Sequence, residues 1–294
     1  MKDFHYGGQG VIEGVMMRGR KSITVAVRDP SGEIVLHSEP LSGGIYDSVW
    51  RKIPFVRGLL ILWDTLVLGT RSLMYSANVA LSEEEVEFTT PAILATVAFS
   101  LAFAIVVFFL VPLLLVGFLD RFIASDLLSN LVEGLIRLSF LLLYVFLIGL
   151  VPDIRRVFAY HGAEHKTINA FENGASLDTE GVSVHSTAHT RCGTGFLLIV
   201  VVLSVLIFAF LGRPPMVWRV ISRVLLIPII AGISYEFIRF AAAHGNNPLV
   251  RVFIVPSMAL QTLTTREPDE PMLEVAIAAL KPVLATDGVL EGEE

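Results

Sequence analysis

The sequence predicts a mainly α fold: a polytopic helical membrane protein with about four transmembrane helices and a small N-terminal β element. Three observations predict it. Residues 92–119 form an uninterrupted apolar run without a single charge, and ~20 such residues suffice to cross a bilayer. The chain is 54% hydrophobic and only 17% charged, with a mean hydropathy of +0.69, against roughly 25% charged residues in ordinary soluble domains. Before residue 41, by contrast, short β-branched stretches alternate around turn residues.

Taken in order, the N-terminal element (residues 1–52) comes first. Met1 to Gly10 is polar and glycine-rich and has no apolar core of the kind a signal peptide needs. Ser22-Ile23-Thr24-Val25-Ala26-Val27-Arg28 alternates, Asp29-Pro30-Ser31-Gly32 is a turn, and Glu33-Ile34-Val35-Leu36-His37 returns, which predicts a hairpin. The preceding Gly7–Gly19 stretch has glycines at spacings that fit neither nucleotide-binding loop. They read instead as backbone packed closely against a neighbour. Met16 and Met17 read as core filling.

Residues 53–90 hold an apolar helix. Arg57, Asp64 and Arg71 recur every seven positions and so drift only ~20° per step. That stripe suits an interfacial helix with a solvated edge, or an embedded segment whose Arg and Asp pair with each other. Acidic residues at 83–87 close this region as a solvated or capping cluster. Spans one and two occupy 91–152, with the second at 135–151 and Arg137 near its start. Spans three and four fall within 195–262, at 195–211 and 217–233. Arg219 and Arg223 lie at one end of the fourth, where they can snorkel. Residues 249–260 are apolar but short, so they read as re-entrant, interfacial or packed on the bundle. From Thr264 to Pro271 the chain starts a helix with early carboxylates and prolines. That C-terminal helix (residues 263–294) is amphipathic through Leu273, Ala276, Ile277 and Leu280, and ends in an acidic tail. Trp50, Trp63 and Trp218 read as interface anchors.

Lysine and arginine set the orientation. Nine precede the first span, one (Arg121) lies between spans one and two, and four (Arg155, Arg156, Lys166, Arg191) lie between spans two and three. The positive-inside rule puts both termini and the second loop, residues 153–194, in the cytoplasm of a multi-pass cell (plasma or inner) membrane protein. A net charge of −6 offers no basic surface, so nucleic acid is excluded as a partner. The expected partners are the lipid bilayer and a further membrane protein.

The second loop concentrates the chemistry. Four of the seven histidines and the only cysteine fall there. If residues 157–173 are helical, His161 and His165 project i, i+4 from one face, a clamp suited to a divalent metal, above all zinc. Cys192, His189 and Glu172 are candidates to complete it. Arg191, between His189 and Cys192, would favour the thiolate. His161-Gly162-Ala163-Glu164-His165 also matches the inverted zinc-peptidase pattern, in which the glutamate is the general base. Such sites take a further carboxylate ligand downstream, and Glu236 is the one available. His185 reads as a spare. The candidate site is therefore catalytic Glu164, metal ligands His161, His165, His189 and Cys192, and Glu172, Glu236 and Arg191 as further ligands or supporting groups. A closed structural site and an open catalytic one remain equal readings. The chain is thus either a metal-dependent hydrolase or a non-enzymatic membrane scaffold or biogenesis partner held by a structural metal. A transporter is disfavoured, because none of these spans holds a carboxylate or histidine near its middle.

Several motifs together, Gly8-Gln9-Gly10-Val11-Ile12-Glu13-Gly14-Val15-Met16-Met17-Arg18, Tyr75-Ser76-Ala77-Asn78, Tyr160-His161-Gly162-Ala163-Glu164-His165-Lys166-Thr167, Arg191-Cys192-Gly193-Thr194 and Leu263-Thr264-Thr265-Arg266-Glu267-Pro268, resemble the YqhQ-like family of bacterial membrane proteins. The resemblance covers nearly the whole chain. Gly10 stands where that family suggests Ala and Arg20 where it suggests Pro. It implies a membrane location, and members are described as uncharacterised or as predicted metal-dependent enzymes.

Overall fold

The computed structural model describes residues 4–42, 48–82, 90–244 and 247–290. The acidic run at 83–87 and the last four residues of the tail lie outside the described residues. The chain forms a helical bundle with a small mixed lobe at one end.

The lobe is built on an antiparallel meander: β1 (Gly7–Val11), β2 (Gly14–Arg18), β3 (Ser22–Arg28) and β4 (Ile34–Pro40), in that order. The hairpin expected at 22–37 is β3–β4, with Val25 opposite His37. The glycine stretch before it supplies two further strands. All but the last residue of β2 and of β3 are buried, because the sheet is covered on both faces. Helix α1 (Val56–Ala80) covers one face, bringing Leu68 against Val11, Met16, Ile23 and Val25. On the other face lie α5 (Pro152–Glu172) and α11 (Glu270–Asp287), where Met17 and Ala26 meet Tyr160, Ile168, Leu280 and Leu284. Each such aliphatic side chain contributes about 1.5–3 kcal/mol on burial. Helix α11 begins after Asp269, whose carboxylate accepts from the Met272 N–H, close to the predicted start. It is buried on more faces than an amphipathic helix, since it fills the space between sheet and α5.

Among the described residues, the bundle has three helices long and apolar enough to cross a membrane, and a fourth if a bent pair is one span. The first joins α2 (Thr90–Ile105) to α3 (Val111–Leu119) through a π-helical turn at Val106–Leu110. Pro112 has no N–H and cannot donate to the Phe108 carbonyl four residues back. Arg137 Nε donates to that carbonyl instead, at 3.0 Å. The second span is α4 (Asp126–Ile148), capped by the Ser125 hydroxyl. It starts nine residues before the predicted 135, and this corrects two expectations. Arg137 sits at mid-helix rather than near a start, and Glu133 is a carboxylate inside a span rather than in a loop.

Glu133 explains why charges are tolerated there. Its carboxylate accepts from Arg137 (2.9 Å), Arg219 (3.2 Å) and Arg223 (3.0 and 3.3 Å). Asp120 and Asn130 take further guanidinium N–H groups, and Arg223 lies over the Phe208 ring at 4.3 Å. Arg219 and Arg223 are therefore buried in an ion cluster and do not snorkel. They belong to α8 (Met216–Leu225), which bends by 43° into α9 (Ile227–Ala243) where Pro228 opens the second helix.

The third span, α7 (Gly193–Phe210), begins at Cys192. α10 (Pro248–Thr264), seventeen residues with Pro256 inside, packs on α7 and ends beside α5. In α1, two of the three charges of the stripe pair with other elements, Arg57 with Glu236 of α9 and Asp64 with Arg18 of β2 at 2.6 Å, while Arg71 is exposed as a solvated edge requires. α1 thus fastens the bundle to the sheet. Trp50, Trp63 and Trp218 are exposed, and Met16 and Met17 are core.

Candidate functional site

The local sequence makes α5 a helix of 21 residues opening on Pro152, so His161 and His165 stack one turn apart with ring centroids 4.4 Å apart. Each ring is oriented from behind. His161 Nδ1 is 2.9 Å from the Thr264 carbonyl, and His165 Nδ1 is 2.6 Å from the Thr187 carbonyl. A carbonyl only accepts, so each Nδ1 carries the proton and a neutral ring presents a bare Nε2. His161 Nε2 lies 3.4 Å from Cys192 Sγ. One ligand atom each from His161, His165 and Cys192 falls within 4.8 Å of the others. Ligand atoms on a tetrahedral zinc are separated by roughly 3.3–3.6 Å, so modest side-chain movement converts this triangle into a coordination face. Cys192 caps α7, with the Thr194 N–H directed at its sulfur.

Glu164 is almost fully buried, with Oε2 3.5 Å from His165 Nε2. Burial pushes its carboxyl above the ordinary carboxylate range, while His161, His189 and the Gly8 N–H act in the opposite direction. It can reach that position because β1 lies directly on α5. A Cβ at Gly10 would meet the His161 N and the Val157 carbonyl at 2.7 Å, and one at Gly8 would meet Glu164 Cγ at 3.0 Å. The close packing read from the glycines is therefore a packing against the site itself. Gly162 does the same on another side, where a Cβ would stand 2.1 Å from the Arg266 carbonyl.

Not every predicted ligand joins the triangle. His189 sits behind it, its ring 5.7 Å from that of His165. Its Nε2 is 3.4 Å from both Glu172 and Arg191, and its backbone is gripped by the Gln261 amide at 2.9 and 2.8 Å. Arg191 pairs with Glu172 rather than facing the cysteine. For Glu172 itself burial favours the neutral form, but the bonds from His189 and Arg191 outweigh it and hold the carboxyl below its ordinary value. Glu236 is elsewhere: it binds Arg57 and the Phe55 N–H at the α1–α9 seam. It is thus not the downstream ligand that the inverted-peptidase pattern requires, and Glu164 and Glu172 are the carboxylates near the histidines. His185 stays outside the ligand triangle.

Sequence reasoning missed the groups that orient the site. Gln261 is a lone amide in an apolar helix, a signal that was present. Lys166 Nζ ties Ser183 O to Glu267, and Asn169 binds the carbonyls of Ser186 and Ala188, so the loop after α6 (Thr179–Ser183) is clasped to α5. The carbonyls of Thr187 and Thr264 are backbone atoms and leave no compositional trace.

A family described as a protein of unknown function, DUF1385, matches residues 53–286. The chain belongs to this family. It is 32% identical over 299 residues to the Uncharacterized protein YqhQ of Bacillus subtilis (strain 168), covering 97% of this chain and 94% of the relative. The family match starts after the sheet, and the relative extends the likeness to almost the full chain. No solved structure matches.

Proposed function

We propose that the protein is a membrane-embedded, metal-dependent hydrolase whose divalent ion, zinc, is held at the cytoplasmic face by His161, His165 and Cys192. One observation carries this reading: one ligand atom each from two imidazoles held by carbonyls through Nδ1, and one sulfur, converge beside a buried carboxylate that does not belong to the triangle. Three protein ligands leave a position open, the arrangement of catalytic rather than closed sites. A bound divalent ion would supply an acidified water and polarise a carbonyl or phosphoryl oxygen. Glu164 is placed to accept the proton of that water. Thr264 and Thr187 keep the rings in the ligating tautomer, and Glu172 holds His189 and Arg191 against the back of the site. The cytoplasmic assignment follows from the lysine and arginine distribution.

The test is metal analysis of the purified protein. Wild type is expected to carry about one zinc per chain, lost from His161→Ala/His165→Ala and from Cys192→Ala. Equal, negligible metal in all three removes the proposal. A second reading, a non-enzymatic scaffold or membrane-protein biogenesis partner, is favoured by the 3.5 Å separation of Glu164 from His165. At that distance Glu164 can be a fourth ligand and close the site. Glu164→Gln separates the two: retained metal supports the open site, whereas lost metal supports the closed one.

A further inference from the structure

We infer that the molecule acted on at this centre is a single-chain anionic amphiphile that enters from the bilayer through a cleft between α7, α9 and α10. This rests on the hydrolytic reading above. A cavity of about 310 Å³ runs from Cys192 and Thr190 past Gly195 and Ile199 of α7, between Phe237 and Ala241 of α9 and Ile254 and Met258 of α10, to Arg251. Its wall is mostly aliphatic and aromatic, and Cys192 of the triangle is among the residues that line it. Its length follows from α10. Ser257 lies against Gly195 near the inner end, and Arg251 is six residues earlier, about 9 Å along a helix.

Three features select the occupant. The helices around the cleft are of the kind found in lipid, where the abundant apolar ligand is a hydrocarbon chain. The side chains that line it, among them Ile199, Phe237, Ile254 and Met258, are apolar and match a hydrocarbon chain. Arg251 is exposed at the rim, and none of the ion pairs found among the described residues uses it. An arginine so placed at a membrane surface recruits a carboxylate or phosphate. The cleft therefore accepts the chain, Arg251 the anionic group, and Cys192 marks where the susceptible bond arrives.

Photo-crosslinking in nanodiscs tests this. The probes are a fatty acid with a diazirine in its chain and the alcohol of the same length, with adducts mapped by mass spectrometry. The acid is expected to label Phe237, Ile254 and Met258 at least fivefold more than the exposed face of α2. Ala241→Phe, which fills the cleft, should abolish that excess without changing metal content. Where Ala241→Phe cannot be purified, Met258→Trp serves the same purpose. Labelling spread evenly over the lipid-facing helices, or unmoved by filling the cleft, overturns the proposal. Equal labelling by acid and alcohol, or an acid preference unchanged in Arg251→Ala, overturns its anionic part. His161→Ala/His165→Ala should still be labelled in the cleft. Loss of metal and loss of lipid binding are thus read separately, and the failure of either reading is distinguishable from failure of the other.

Discussion

Two polar clusters lie at opposite ends of the bundle. Toward the start of α4, Glu133 is ringed by three guanidinium groups, with Asp120, Asn130, Ser129 and the Phe208 ring taking up most of what the carboxylate leaves. Beyond the other end of α4, His161 and His165 each hold a carbonyl through Nδ1, while the Nε2 of His161 meets the Cys192 sulfur at 3.4 Å and that of His165 the Glu164 carboxylate at 3.5 Å. The first cluster consumes its polarity in short ion pairs, so it is a staple between spans. The second leaves both Nε2 atoms and the sulfur in long contacts that an arriving ligand can replace. Burial alone does not separate them, since both are largely withdrawn from solvent; the tightness of the internal pairing does.

The largest effect should come from breaking the staple. Glu133→Ala leaves Arg137, Arg219 and Arg223 buried without their carboxylate, a loss of about 3–5 kcal/mol. It is measured as thermal unfolding in detergent, or appears as failure to accumulate. Wild-type stability for this variant would mean that water or lipid headgroups already solvate the cluster. Next, Gly162→Ala displaces the Arg266 carbonyl that lies against this glycine, next to His161 on α5. Metal affinity should fall 10–100-fold, as for lost supporting groups elsewhere, measured by competition with a chelator, while the fold persists. Gln261→Leu leaves the His189 N–H and C=O unpartnered and should cost about 1–3 kcal/mol, read as a lower unfolding midpoint. The smallest effect is expected for Arg57→Ala. Its pair with Glu236 is partly exposed, and such pairs contribute about 0–1 kcal/mol. If His161→Ala/His165→Ala were to destabilise the protein as much as Glu133→Ala, the contrast would collapse and the metal centre would be a second staple.

Much of the site was readable before any coordinates, because it rests on local periodicity. The i, i+4 spacing of His161 and His165 needs only a helix, and Cys192 needs only to precede the next span. The β3–β4 hairpin was equally local. Glu133 was hidden for the opposite reason. A search for apolar runs stops at a charge, and what admits this charge is Arg219 and Arg223, some ninety residues away. The same distance effect hid the pairing of Arg57 with Glu236, which made Glu236 resemble an unassigned intramembrane acid. β1 and β2 fell within the expected β element but received no strand bounds of their own, because glycine and methionine carry little strand signal. Their strand character comes from lying between α1 on one side and α5 and α11 on the other.

The lobe also has a consequence for biosynthesis. Its sheet is made first, yet the helix that covers one face is made last: the backbone N–H of Arg20 is held by the Asp287 carboxylate, 267 residues further along the chain, and Arg28 by Glu274. Closing so long a loop is slow. The face of β2 and β3 that α11 shares with α5 therefore stays incompletely covered until the C-terminal helix is made. Docking of α11 is thus the last step in closing the lobe.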